Sequence, residues 1–79
     1  MLATFLARGQ KSIVKSIDIG PYASRLLSAG IRKGANLEFI KKTTGGGLLF
    51  KVEEHRVVVH KSLAASIQVE AVADISGDK

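Results

Sequence analysis

The fold is decided by one stretch of the sequence, PYASRLLSAGIRKG at residues 21–34. Its apolar residues Tyr22, Leu26 and Ala29 follow the three- and four-residue spacing of a helix, whereas the rest of the chain alternates. Pro21 suits the first helical position, where its missing N–H removes no hydrogen bond. This pattern predicts a helix of about two and a half turns over residues 21–29.

The same stretch contains two glycines that we expect to be structural. Gly30 follows the predicted helix and can adopt the left-handed conformation that ends one, so that Ile31 folds back towards Leu26. Gly34 closes the turn Arg32-Lys33-Gly34, and we expect it to have a positive φ before the next strand.

On both sides of this helix the apolar residues recur with a period of two, which is typical of strands. The sequence predicts strands at residues 12–17, 35–40, 48–52, 57–59 and 67–72, with a helical turn at 61–66. Five short strands at this spacing predict a mainly β fold, namely a small SH3-like β-barrel with one short α-helix in the first crossover and a helical turn before the last strand. We expect one domain over residues 1–79, with an ordered core at about 4–72 and a frayed tail at 73–79.

Strand alternation also predicts which side chains face the core. In the third strand, Leu48, Phe50 and Val52 share one face and Leu49 lies on the other. In the first strand, the pattern places Ile13 and Ile17 on one face and Val14 on the other. The predicted core consists of Leu26, Leu37, Phe50, Val57, Val59, Ile67 and Val69.

The charge of the chain is basic and unevenly distributed. Twelve Lys and Arg against seven Asp and Glu give a net charge of +5, and residues 1–61 alone carry +7. Small basic barrels often bind nucleic acid, so this function stays open as the alternative. Against it, the basic residues are scattered and there are only four aromatic residues. On composition, a solvated surface that keeps a small domain soluble is therefore favoured as the explanation of the charge.

The sequence has no cysteine, which excludes disulfides, thiolate metal sites and thiol nucleophiles. The apolar start of the chain ends at Arg8 and is too short for a signal peptide, and no run approaches the ~20 apolar residues of a membrane span. We therefore expect a cytoplasmic protein with no direct membrane insertion.

No pattern in the sequence indicates catalysis, so we predict no catalytic, cofactor-binding or metal-binding residues and no enzyme activity. The glycines at residues 45–47 precede a strand, and therefore lack the helix N-terminus of a phosphate cradle. His55 and His60 are the only imidazoles, and an adventitious divalent metal contact is the most that they suggest. A structural or solvated role is favoured for both.

Residues 25–34, RLLSAGIRKG, resemble the signature of the FeoA family, ferrous iron transport protein A. The segment RVVVHKSLAASIQVE at residues 56–70 and ARGQ at residues 7–10 are also similar to that family. The resemblance spans about residues 4–72. It implies an SH3-like accessory module of bacterial ferrous iron uptake, with no cofactor and no nucleic acid. The implied partner is the cytosolic part of FeoB, a membrane transporter with a GTP-binding domain.

Partners of small barrels usually meet loops and exposed faces, while the strands serve as scaffold. On this basis the candidate partner-binding residues are Tyr22 and Arg25 on the outer side of the helix, Arg32 and Lys33 in the turn after it, and Leu49 beside the glycine loop. Leu49 is the apolar residue that the alternation leaves without a place in the core.

Overall fold

The computed structural model describes residues 1–18, 20 and 23–72. The strands are β1 (Lys11–Ile17), β2 (Asn36–Lys42), β3 (Gly47–Val52), β4 (His55–His60) and β5 (Ile67–Ala71), and the helices are α1 (Ala23–Ser28) and α2 (Lys61–Ala64). The strands form one antiparallel sheet in the order β4-β3-β2-β1-β5. The predicted mainly β fold, with a helix in the first crossover and a helical turn before the last strand, is confirmed. The predicted tail at residues 73–79 lies outside the described residues.

Helix α1 ends as the sequence predicts. The N–H of Ile31 donates to the carbonyl of Leu26 at 2.9 Å, and the N–H of Gly30 donates to the carbonyl of Leu27 at 2.9 Å. Gly30 has φ +87°, so the three features of a Schellman ending are present together. Leu26 and Ile31 are both buried. The described helix begins at Ala23, and residues 21 and 22 of the predicted helix lie outside the described residues.

The core lies on one side of the sheet and includes Leu26 of α1. Phe50 is fully buried and contacts Phe39 with ring centroids 5.6 Å apart. Six of the seven predicted core residues are buried, and Val57 is half-buried against them. Ser12 is buried as well, and its hydroxyl donates to the carbonyl of Leu37 at 2.8 Å, which satisfies the buried polar group.

Strand β1 departs from simple alternation. Its pairing with β5 shifts between Val14 and Ser16, which indicates a β-bulge. A bulge inserts one extra residue, so the side chains beyond it change face. As a result Val14 is buried and Ile17 also packs against the core, while Ile13 is exposed. The prediction that Ile17 and Val14 face opposite sides was wrong for this reason.

The β3–β4 hairpin is closed by only two residues, Glu53 and Glu54. Glu53 has φ +53°, a left-handed conformation that is uncommon for a residue with a side chain. Three hydrogen bonds hold it to the start of β2. Its N–H donates to the carbonyl of Asn36 at 3.1 Å, and its carboxylate accepts from the Asn36 N–H at 2.9 Å and from Asn36 Nδ2 at 3.4 Å. These bonds to Asn36 lower the pKa of the Glu53 carboxyl below its ordinary value, with smaller contributions from Arg32 and His55.

The two edges of the sheet are treated differently. The edge of β5 is covered by the N-terminus of the chain: the Met1 ammonium group donates to the carbonyl of Val69 at 2.9 Å, and the Val69 N–H donates back to the Met1 carbonyl at 2.7 Å. Leu2 and Gln68 form a further bridge. Among the described residues, β4 pairs only with β3. One edge is therefore closed by the chain itself and the other is left open.

Substitutions at Gly30 and Gly34 can separate two causes of lost stability, namely backbone strain and steric contact of the added Cβ. Both have strongly positive φ, but a Cβ on Gly30 would lie 3.1 Å from His55 Cε1, whereas a Cβ on Gly34 would meet no atom within 4 Å. We expect Gly34→Ala to lower the free energy of unfolding by about 1–2 kcal/mol through backbone strain alone. Gly30→Ala should cost more and should shift the NMR signals of His55. Equal losses in chemical denaturation would contradict the contact with His55.

The Glu53 carboxyl predicts a pH dependence of stability. Because its pKa in the folded state lies below the ordinary 4.5, its contribution is present above pH 4.5 and is lost as the pH falls through the folded value. We expect Glu53→Gln to be less stable than wild type at pH 7 and to lose that difference at low pH. Glu54→Gln removes the same charge from the same turn and is the matched control. Denaturant unfolding at several pH values measures both, and parallel profiles for the two variants would contradict the role of Asn36.

Candidate partner-binding surfaces

The first candidate surface is a cleft of about 350 Å³ beside α1, which we call the α1 cleft. Arg32 and Lys33, two predicted partner-binding residues, lie at this cleft. Leu27 also lies at the cleft and is 57% exposed. Leu26 is the buried residue of this pair, and Leu27, its neighbour, points in another direction from the helix. The cleft is lined by Ser16, Ile17, Ala23, Leu27, Arg32 and Lys33.

Two other predicted residues belong to the α1 region of the chain. Arg25 lies on α1 and is exposed. Tyr22 lies outside the described residues. Their proposed contact with a partner remains a prediction.

The second candidate surface is the outer face of the β3–β4 hairpin, formed by Leu49, Lys51, Arg56 and Val58 and called here the β3–β4 face. The register pairs Leu49 with Val58 and Lys51 with Arg56, and side chains that are paired across an antiparallel ladder lie on the same side of the sheet. Leu49 is half-buried, in agreement with the prediction that it lies opposite the buried Leu48 and Phe50.

Val58 was missed as a surface residue. It is 57% exposed, although it stands in the run Val57-Val58-Val59 that appears uniformly apolar in the sequence. The signal was the same alternation that places Leu49 outside, since Val59 is buried and Val57 packs against the core. Leu49 and Val58 thus form an apolar pair, which lies farther from the β3–β4 turn than the basic pair Lys51–Arg56.

The glycine loop borders a third opening. Residues Thr44–Gly46 form an irregular turn in which Gly45 and Gly46 both have positive φ, and a cleft of about 480 Å³ lies beside it. Two lysines, Lys42 and Lys61, stand at this cleft together with Leu48 from the core. Leu49 faces the other side of β3, so the structure does not combine Leu49 and the loop into one groove.

Both histidines have structural contacts. His55 Nε2 lies 2.9 Å from the carbonyl oxygen of Ala29, so that its N–H donates to the last turn of α1. His60 precedes α2 and its Nδ1 accepts the N–H of Ser62 at 3.1 Å, which is the pattern of an N-cap. They stand at opposite ends of β4, and in the described part of the chain no group of three or more His, Asp or Glu is placed to hold a metal ion.

The described aromatic residues do not assemble a surface on which bases could stack. Phe39 and Phe50 pack together in the core, and Phe5 is 70% exposed but stands apart from them. No helix in the described part of the chain is long and apolar enough to cross a membrane.

Comparison with known proteins gives a consistent result. The family model described as FeoA domain matches residues 1–71 of this chain. A crystal structure described as iron uptake regulatory protein (FeoA) is similar at 26% identity and a TM-score of 0.83, and the alignment covers 91% of this chain and 97% of that one. No curated protein sequence gives a significant match.

Two solution structures are similar at lower identity. Iron(II) transport protein A from Clostridium thermocellum aligns with a TM-score of 0.84 at 23% identity, over 91% of this chain and 46% of that one. The FeoA protein from Chlorobium tepidum aligns with a TM-score of 0.83 at 23% identity, over 92% of this chain and 71% of that one. These two likenesses establish the shared fold.

Proposed function

The chain belongs to the FeoA domain family, and on that premise we propose that it is a cytoplasmic accessory module that binds the cytosolic part of the ferrous iron transporter FeoB. The family is associated with ferrous iron transport. The observation that carries the proposal is the extent of the family match, which runs from residue 1 to residue 71 and so includes both candidate surfaces.

The chemistry of these surfaces supports a binding role. In the α1 cleft the exposed Leu27 stands beside Arg32 and Lys33, and on the β3–β4 face Leu49 and Val58 stand beside Lys51 and Arg56. An apolar patch with a basic border is the usual composition of a small recognition site, because the apolar atoms supply burial and the charges orient the partner. The net charge of +5 favours an acidic partner surface.

In this proposal the module performs no chemistry of its own. The nucleotide and the iron are handled by the transporter, and the module changes the transporter by binding to it. Such a role requires a stable fold and a surface that recognises the transporter. It requires neither a nucleophile nor a general base.

The test is a calorimetric titration of the purified cytosolic domain of the transporter with this protein at several salt concentrations. We expect saturable binding that weakens as salt is added, because charged borders contribute to it. A parallel anisotropy titration with a short RNA and a short DNA examines the alternative. Tight, steeply salt-dependent binding to nucleic acid without binding to the transporter domain would overturn the proposal.

Leu49→Asp distinguishes the two candidate surfaces. Leu49 is half-buried, so we expect this change to lower the free energy of unfolding by about 1 kcal/mol and to leave the protein folded. Binding to the transporter domain should weaken at least tenfold, or about 1.4 kcal/mol.

Ile13→Asp is the matched control, because Ile13 is an exposed apolar residue on β1 that is paired with Asn36 and Glu70, away from the β3–β4 face. It should fold and bind normally. If Leu49→Asp also binds normally while Leu27→Asp does not, the α1 cleft is the contact surface.

A further inference from the structure

The hydrogen-bond pattern of the sheet shows which backbone N–H and C=O groups of the edge strand β4 point away from β3. The N–H of Glu53 donates to the carbonyl of Asn36, so the backbone groups of Glu53 point towards β2. Backbone groups point to opposite sides at successive residues of a strand. Those of Val52, Phe50 and Leu48 therefore point towards β4. The residues of β4 that are paired with these three direct their own N–H and C=O groups towards β3 and form hydrogen bonds with it. These partners are His55, Val57 and Val59.

The intervening residues of β4 point the other way. The N–H and C=O groups of Arg56 and Val58 face away from β3, and no hydrogen bond to another described residue satisfies them. Their side chains stand on the β3–β4 face, since side-chain direction and hydrogen-bond direction alternate with the same period. The edge thus presents two donors, two acceptors and the side chains of Arg56 and Val58 on one surface.

We propose that β4 is a docking edge that accepts an extended acidic segment of a partner protein as a sixth strand. This deepens the proposed function by naming the way in which the transporter's cytosolic part is bound, and in naming that partner it rests on the proposed function. Strand addition obtains its affinity from main-chain hydrogen bonds and its specificity from alternate side chains. Four such bonds are available at Arg56 and Val58.

Charge complementarity indicates why the segment is acidic. Residues 41–61, which contain β3 and β4, hold five Lys and Arg against two Glu, and one of these, Glu53, is already bound to Asn36. An acidic side chain opposite Arg56 would also lie near Lys51, which is paired with Arg56. An apolar side chain opposite Val58 would extend the apolar pair that Val58 makes with Leu49.

The same charges disfavour a second copy of this chain at the edge. Two β4 strands that pair antiparallel around Val58 would bring Arg56 of each copy opposite His60 of the other, so no acidic side chain would face Arg56. Each chain also carries a net charge of +5, so two copies repel one another. The edge therefore selects a partner of opposite charge.

The first experiment uses the wild-type protein and a designed peptide, acetyl-Thr-Glu-Thr-Val-Thr-Glu-Thr-amide, whose glutamates and valine share one face when it is extended. In amide hydrogen exchange followed by NMR, we expect Arg56 and Val58 to exchange at least tenfold faster than Val57 and Val59 in the free protein. Addition of the peptide should protect Arg56 and Val58 at least tenfold. The same peptide with lysine in place of glutamate is the control and should bind at least tenfold more weakly.

The second experiment removes one outward donor. Val58→Pro deletes an N–H that faces the open edge and no ladder bond, a change that edge strands tolerate. We expect it to fold, and to bind the peptide and the transporter domain at least tenfold more weakly than wild type. Val58→Thr keeps the N–H and the branched shape and should bind within twofold of wild type. Val57→Pro deletes a hydrogen bond to Phe50 and should unfold the protein. That result would verify that the backbone N–H of Val57 points towards β3 and that of Val58 away from it.

The outcomes separate this proposal from the proposed function. If the transporter domain binds wild type and Val58→Pro equally, docking at the edge is overturned while the proposed function stands. If the transporter domain does not bind, the proposed function fails, and peptide binding with protection of Arg56 and Val58 still supports the edge. Absence of peptide binding at millimolar concentration overturns the edge, as does concentration-dependent dimerisation that protects these two amides.

Discussion

The hydrogen bond from the Glu53 N–H to the carbonyl of Asn36 determines how the β3–β4 hairpin is used. Because backbone groups alternate along a strand, this one bond decides which residues of β3 bond to β2 and which bond to β4. It also decides that Leu49 and Val58 share the outer face and that Arg56 directs its backbone groups to the open edge. The carboxylate of Glu53 reinforces the bond by accepting the Asn36 N–H. A left-handed conformation at Glu53 is the conformational cost of this arrangement.

The connection after α1 and the β3–β4 turn are tied together rather than independent. His55 donates to the carbonyl of Ala29 at the end of α1, and its ring occupies the space beside Gly30 where a side chain would otherwise lie. Arg32, two residues further on, contributes to the lowered pKa of Glu53. The α1 cleft and the β4 edge thus share a common support. Through its hydrogen bond to Ala29, His55 ties the end of α1 to the start of β4.

Much of this fold could be predicted from local sequence. Gly30 with Ile31 specifies the end of α1, and the alternation around Phe50 specifies the faces of β3, because both depend on neighbours in the chain. The bulge in β1 could not be predicted, since it arises from the pairing of β1 with β5, far apart in sequence. The contact of His55 with Ala29 also depends on tertiary structure. For the candidate surfaces, Leu49 was predictable from alternation, whereas the direction of the Val58 backbone required the register.

The contrast between the two edges explains how so small a domain can expose an unpaired strand. The chain covers β5 with Met1 and Leu2, and thereby removes one site of strand-to-strand aggregation. At the other edge, the Val57-Val58-Val59 run has high β-propensity and would be an aggregation site if it were uncharged. Arg56 before the run and Lys61 after it repel a second copy, and the same charges attract an acidic strand. One arrangement of charge therefore disfavours pairing between copies and, in the docking proposed above, favours an acidic strand.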